Sequence, residues 1–129
     1  MAVIFVADDV SVIRDTLRAL LEKQGHTVLE AANGVECLAL FRTKQPDLVI
    51  TDMIMPEKDG VETIREIRRR FPEVKIIAIS DGGSKKPASF LDFAQDSGAH
   101  RVLSKMQGLG GITALVNELL SSAEPGQRP

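Results

Sequence analysis

Short apolar runs alternate with amphipathic stretches along the whole 129-residue chain, and this alternation limits the folds that it can adopt. The apolar runs are predicted strands at residues 2–7, 26–31, 47–52, 74–80 and 101–104. Between the first two runs, apolar residues such as Ile13, Leu17 and Leu21 recur at helical spacing, and Ser11 can cap this helix. Similar stretches follow each later run, and the fourth of these helices is predicted to run through Phe90. Strands that alternate with helices form a parallel sheet with right-handed crossovers and helices on both faces. The pattern therefore predicts a doubly wound α/β domain, (βα)5.

Polar residues stand where four of these apolar runs end, namely Asp8, Asp9, Asp52, Ser80 and Lys105. The strand order 2-1-3-4-5 that we expect places the first and third strands side by side, so the three carboxylates would meet at their carboxyl ends. Carboxylates held this close repel one another and attract a hard cation such as Mg²⁺. The hydroxyl and the ammonium would complete a site for an anion, and a phosphoryl group fits that chemistry.

Length and composition predict one domain over residues 1–122, followed by a disordered tail at 123–129 that is rich in proline and glycine. The formal net charge of −2 gives no electrostatic argument for nucleic acid or an anionic membrane as a partner. A single cysteine, Cys37, fits a reducing cytoplasm. No apolar segment reaches the length of a membrane-spanning helix.

The stretch Asp52–Gly60, DMIMPEKDG, resembles the receiver domain of two-component response regulators when it is taken with the other strand-ending polar residues. The resemblance covers residues 2 to about 120 and is to single-domain, chemotaxis-regulator-like receivers. It implies a flavodoxin-like receiver fold with strand order 2-1-3-4-5 and a stand-alone cytoplasmic response regulator. The partners implied are a sensor histidine kinase or histidine phosphotransfer protein and an unidentified downstream protein.

The resemblance also assigns roles to individual residues. Asp52 would be the phospho-acceptor, and Ser80 and Lys105 would contact the phosphoryl group. The groups that would bind Mg²⁺ are Asp9, Asp52, the backbone carbonyl of Ile54 and, through water, Asp8. Phosphorylation would change a partner-binding face made of the fourth helix, the fifth strand and the fifth helix, and could produce a homodimer. No enzymatic activity is expected beyond phosphorylation and dephosphorylation of the protein itself.

Three departures from the family pattern fall on the expected output side. Val102 stands where many members have tyrosine or phenylalanine, so the usual aromatic switch is absent. Met106 replaces the proline that usually follows the lysine, and we expect a trans Lys105–Met106 bond because a cis bond would cost roughly 3 kcal/mol. The polar segment 81–87 is longer than usual and includes Lys85 and Lys86, which could order over the site after phosphorylation.

Two other functions remain open at this point. A pseudo-receiver would dock partners without control by phosphate, and Val102 and Met106 favour it. A Mg²⁺-dependent phosphohydrolase would form an aspartyl-phosphate, but some such enzymes need an aspartate two residues after the nucleophile, where this chain has Ile54. The complete set of strand-ending polar residues favours the receiver over both.

Polar residues outside this set have simpler interpretations. His26 and His100 are predicted to be surface residues without a metal or catalytic role. Cys37 is predicted to pack in the core. The arginines of the third helix are interpreted as a solvated face, and they are Arg65, Arg68, Arg69 and Arg70.

Overall fold

A computed structural model describes residues 1–53, 60–80, 98–105 and 108–127, with residues 122–127 described as backbone only. The strands are β1 Val3–Ala7, β2 Thr27–Ala31, β3 Leu48–Asp52, β4 Lys75–Ser80 and β5 Arg101–Ser104. The helices are α1 Ser11–Lys23, α2 Gly34–Leu40, α3 Gly60–Arg70 and α4 Ile112–Gln127, the last preceded by a 3₁₀ turn at Leu109–Gly111.

The strands form one parallel sheet in the order β2-β1-β3-β4-β5, which confirms the predicted topology. The first four strands each begin a residue later than predicted, and β5 has the predicted bounds. In this order the connection after β1 leads to one side of the sheet and the connection after β3 leads to the other, so the switch point lies between β1 and β3. This switch point brings the ends of β1 and β3 together.

Both faces of the sheet are covered, which explains why its strands are continuous apolar runs. Phe5 and Ala7 of β1 lie in the core on the side of α2 and α3. Ile4 and Val6 lie in the core on the side of α1 and α4. All four side chains are fully buried. The predicted two-sided burial of β1 is confirmed.

The amino ends of the strands are tied together by side chains. His26 Nδ1 accepts a hydrogen bond from the Ala2 N–H at 3.1 Å, and Asp47 Oδ2 accepts one from the Val3 N–H at 2.8 Å. At the start of β5, the outer strand opposite β2, His100 Nδ1 accepts the Ile76 N–H at 3.0 Å. Each histidine precedes an edge strand and accepts a backbone N–H from the adjacent part of the sheet. Both therefore have a structural role, which the prediction of simple surface residues did not include.

The beginnings of α1 and α2 differ in how they are capped. Asn33 caps α2, its side chain accepting the Glu36 N–H at 2.9 Å, while the Glu36 carboxylate accepts the Ala32 N–H at 2.7 Å. Ser11, predicted to cap α1, is instead its first residue, and the N-cap Val10 makes no side-chain capping bond. A cap at Ser11 is wrong because helical geometry begins at that residue.

The C-terminal helix α4 extends through Gln127, past the predicted domain end at residue 122, so the predicted tail 123–129 is helical over 123–127. No glycine or proline lies between Ile112 and Ala123 to end the helix earlier. The predicted fourth helix through Phe90, the loop 81–87 with its lysines and the peptide bond to Met106 lie outside the described residues. Within the described part of the chain, no helix is long and apolar enough to cross a membrane.

Candidate functional site

An aspartate cluster lies at the carboxyl edge of the sheet, at the switch point. Ala7 of β1 is in register with Thr51 of β3, so the next residues of the two strands, Asp8 and Asp52, are neighbours. Asp9 completes the cluster, and one carboxylate oxygen of each aspartate lies within 4.8 Å of the others. Asp8 is fully buried and Asp52 nearly so, whereas Asp9 is exposed. The structure therefore brings together the three carboxylates that the sequence predicts at this edge.

Lys105 provides a cation for this cluster. It follows β5, and its Nζ lies 2.9 Å from Asp8 Oδ2 and 3.2 Å from Asp52 Oδ2. Burial by itself lowers the pKa of Lys105, but its close contacts with the negatively charged Asp8 and Asp52 outweigh burial and raise this pKa above its usual value. The ammonium is therefore charged at physiological pH.

One oxygen in the cluster lacks a hydrogen bond of good geometry. Among the described residues, no donor is aligned on Asp8 Oδ2, although the Lys105 ammonium is close enough for charge attraction. In the part of the chain that the structure describes, three carboxylates lie near one ammonium, which leaves an excess of negative charge. Hard divalent cations bind carboxylate oxygens, so both the excess charge and an Asp8 oxygen without an aligned donor fit Mg²⁺. The predicted fourth ligand, the carbonyl of Ile54, lies outside the described residues.

The two remaining predicted positions are at or near the same edge. Ser80 ends β4, is 4 % exposed, and lies opposite Ser104 of β5 in the ladder. Val102 pairs with Ala78 and packs against the core on the side of α2 and α3. The Val102 side chain is too short to rotate between a surface and a buried position, as an aromatic ring could.

Gly60, the first residue of α3, holds the backbone of Asp52 closely. A Cβ at Gly60 would lie 1.9 Å from the Asp52 carbonyl oxygen and 2.6 Å from the Met53 Cα. The Gly60 N–H donates to the Met53 carbonyl at 2.9 Å. Only glycine permits this contact, so the start of α3 is locked against the end of β3.

Sequence reasoning missed two residues next to the cluster. Arg14 of α1 donates from Nη1 to the Asp8 backbone carbonyl at 2.7 Å and from Nε to Glu30 Oε1 at 3.0 Å. Glu30 also accepts from Arg18 Nη1 at 2.5 Å. The available signal was Glu30 itself, a carboxylate in the otherwise apolar run of β2, which needs a partner when partly buried.

A five-stranded, doubly wound sheet with an aspartate cluster and a lysine at its carboxyl edge is the architecture of a signalling receiver domain. The chain belongs to the response regulator receiver domain family, whose model matches residues 4–117.

Individual relatives agree with this assignment. The response regulator MprA of Mycobacterium sp. strain KMS is 33% identical over 128 residues, which are 98% of this chain and 54% of that protein. A CheY-like receiver from Methanospirillum hungatei has the same fold, with a TM-score of 0.86 at 24% identity over 98% of both chains. The response regulator TrrA of Thermotoga maritima, solved in complex with Mg²⁺-BeF, superposes with a TM-score of 0.79 at 31% identity, over 92% of this chain and 99% of that one. The chain thus spans about half the length of the MprA proteins that it matches.

Proposed function

We propose that Asp52 accepts a phosphoryl group from a sensor histidine kinase or a histidine phosphotransfer protein, in a reaction that requires Mg²⁺. The observation that carries this proposal is the nearly buried Asp52 carboxylate, held with Asp8 and Asp9 and contacted by Lys105 at 3.2 Å. Neighbouring carboxylates repel one another, so the fold gains no stability from holding Asp52 between Asp8 and Asp9. Phosphoryl transfer needs this kind of charge arrangement, because it depends on positioning and on neutralising oxygens.

The residues would divide the reaction as follows. An Asp52 oxygen attacks phosphorus, the bond from phosphorus to the histidine nitrogen breaks, and that nitrogen takes up a proton, which leaves an acyl phosphate on Asp52. Lys105 would hold a phosphoryl oxygen as a point charge, and the Ser80 hydroxyl would donate to another. Asp8 and Asp9 would hold Mg²⁺, which supplies positive charge to the transferred oxygens.

Two observations support the metal part of this proposal. Within the described residues, the acidic cluster has a buried oxygen, Asp8 Oδ2, on which no hydrogen-bond donor is aligned, and it holds three carboxylates near one ammonium. A relative of 31% identity, TrrA, was solved with Mg²⁺-BeF. Turnover would be restricted to the protein's own phosphate, since Ile54 stands where a general acid would be needed for a phosphohydrolase.

Phosphorylation of Asp52 would have to be transmitted to a partner without an aromatic residue at position 102. Phosphorylation would change the affinity of a partner-binding face for a downstream protein in the cytoplasm, and could produce a homodimer. Because Val102 packs against the core, the signal would travel through Ser80 and the segment after it and not through a rotating ring. A stand-alone receiver stays a prediction, as the MprA relatives that the chain matches are longer.

A pseudo-receiver is the second candidate, and the packed Val102 is the observation that favours it. Such a protein would present the same surfaces with or without phosphate. The two candidates differ in one measurable property, the reactivity of Asp52.

The test is the intact mass of the protein after incubation with acetyl phosphate, with and without Mg²⁺. Wild type, Asp52→Asn and Asp47→Asn are compared. Asp47→Asn is a matched control, since Asp47 lies at the opposite edge of the sheet and asparagine keeps the acceptor for the Val3 N–H. We expect a single phosphoryl adduct on wild type and Asp47→Asn, only with Mg²⁺, and none on Asp52→Asn.

Other results would redirect the assignment. An adduct on Asp52→Asn equal to that on wild type would exclude Asp52 as the acceptor. If wild type gave no adduct from acetyl phosphate or from a phosphorylated histidine phosphotransfer domain, and calorimetry detected no Mg²⁺ binding, the pseudo-receiver would be the better assignment.

A further inference from the structure

Arg14 links three elements directly beside the aspartate cluster. Its guanidinium extends from α1, donates to the Asp8 carbonyl after β1 at 2.7 Å, and donates to Glu30 of β2 at 3.0 Å. The side chains of Arg14 and Glu30 are only 19% and 22% exposed. A partly buried charge with two directed bonds is held in one place, because guanidinium geometry matches both acceptors at once.

The carbonyl that Arg14 holds belongs to the peptide unit joining Asp8 to Asp9. This unit is planar, so fixing its oxygen also fixes the direction in which the chain leaves Asp8. Asp8 is already fixed, since it is buried, its N–H donates to the Ala31 carbonyl at 3.1 Å and its Oδ1 accepts the Val10 N–H at 2.9 Å. Asp9 is exposed and depends on the peptide orientation for its position.

We propose that Arg14, held by Glu30, is a positioning residue for the metal site: it orients the Asp8–Asp9 peptide so that the Asp9 carboxylate lies within reach of a divalent cation bound by Asp8 and Asp52. This inference rests on the proposed function and deepens it. Partners that orient metal ligands typically change metal affinity by 10–100-fold when they are removed. Arg14 would act in this way through a backbone carbonyl, without contacting the metal.

The chain supplies a matched control in Arg18. It lies one helical turn after Arg14 on α1 and pairs with the same Glu30 carboxylate, at 2.5 Å, and with Glu22 at 2.9 Å. No hydrogen bond from Arg18 to Asp8 is found among the described residues. Removing Arg18 therefore also takes a cation away from Glu30, but leaves the Asp8 carbonyl bond in place.

The experiment measures Mg²⁺ affinity of the unphosphorylated protein by isothermal titration calorimetry, since the chain has no tryptophan or tyrosine to serve as an optical probe. The variants are Arg14→Gln, Arg14→Lys and Arg18→Gln, each with a urea unfolding curve recorded without metal. We expect Arg14→Gln to bind Mg²⁺ roughly tenfold more weakly than wild type. Arg18→Gln should stay within about twofold, since exposed ion pairs contribute little.

Two further readouts separate positioning from a general structural role. Arg14→Lys should recover part of the lost affinity, because lysine keeps a cationic donor without the fork that reaches both acceptors. With acetyl phosphate, Arg14→Gln should raise the Mg²⁺ concentration for half-maximal phosphorylation by the same factor, while the rate at saturating Mg²⁺ changes little. If Arg14→Gln did not fold, the comparison of Arg14→Lys with Arg18→Lys would make the same test with smaller differences.

Failure of this inference can be told apart from failure of the proposed function. Equal Mg²⁺ affinity in wild type and Arg14→Gln, or equal losses in Arg14→Gln and Arg18→Gln, would overturn the role of Arg14 alone. Wild type that binds no Mg²⁺ would overturn the metal site, and this inference with it.

Discussion

The two edges of the sheet use polar side chains in opposite ways. At the amino edge, His26, Asp47 and His100 each accept a backbone N–H from a neighbouring strand, so both the side chain and the strand gain a partner. At the carboxyl edge, Asp8 and Asp52 are held beside each other with one lysine between them, and Asp8 Oδ2 has no aligned donor among the described residues.

This difference separates residues that stabilise the fold from residues whose placement opposes it. A partly buried backbone N–H without an acceptor would be costly, and His26 and His100 at the amino edge remove that cost. Carboxylates placed together repel, and the carboxyl edge keeps them together because β1 and β3 are fixed by the core. Substitutions at the amino edge should therefore reduce stability, whereas substitutions in the cluster can increase it while removing function.

The largest change in the free energy of unfolding is expected at Gly60, where α3 packs against the end of β3. Gly60→Ala would place a Cβ 1.9 Å from the Asp52 carbonyl oxygen, which is backbone and cannot move without shifting β3 or α3. We expect a loss of about 3 kcal/mol in the free energy of unfolding, typical of strong overpacking. Urea unfolding measures this loss, and Gly110→Ala is the control because a Cβ there meets nothing within 4 Å. Equal stability of the two variants would show that the α3 start is not locked to the site.

The next effect should have the opposite sign. Asp8→Asn removes one of the clustered negative charges from a fully buried position, and Lys105 keeps Asp52 as its partner at 3.2 Å. We expect the metal-free protein to gain about 1 kcal/mol in the free energy of unfolding and to bind Mg²⁺ much more weakly. Urea unfolding in EDTA gives the first quantity and calorimetry the second, with the exposed Asp9→Asn as the control for stability. A clear loss of stability in Asp8→Asn would mean that its attraction to Lys105 outweighs repulsion within the cluster.

The same contrast explains which features the sequence revealed. The apolar runs encode strands buried on both faces, and the strand-ending Asp8, Asp52 and Lys105 converge because parallel strands end at one edge. Chemistry at the carboxyl edge is thus readable from residue type and position along the chain. The same pattern predicts where the strands start to within one residue, and it predicts their order in the sheet.

Contacts that depend on side-chain direction were not readable in this way. Nothing in residue spacing shows that the Nδ1 of His26 or His100 reaches a neighbouring strand, because each contact joins residues 24 positions apart. Arg14 has the same character, since its bond to the Asp8 carbonyl depends on how α1 packs against the sheet. The composition of residues 123–129, with two prolines and a glycine, predicts a disordered tail, whereas α4 extends through Gln127.

A smaller effect, at the amino edge, should appear as a pH dependence of stability. His100 is partly buried and faces the positive charges of Arg68, Lys75 and Arg101; burial first, and then these charges, lower its pKa to about 4 from an ordinary value of 6.5. The unfolded chain therefore takes up a proton as the pH falls below about 6.5, while folded His100 stays neutral and keeps its bond from the Ile76 N–H. The stability that His100 contributes is complete above pH 6.5 and is lost as the pH falls toward 4.

Urea unfolding of wild type and His100→Asn at pH 7 and pH 5 isolates this contribution. Asparagine keeps an acceptor oxygen at the position of Nδ1 but does not titrate, and the pKa of His26, which burial also lowers, affects both proteins alike. After allowance for screening at a partly exposed site, wild type should lose about 1 kcal/mol more than His100→Asn between the two pH values. Equal losses would mean that the pKa of His100 is not lowered in the folded protein, because a protonated ring could not accept the Ile76 N–H.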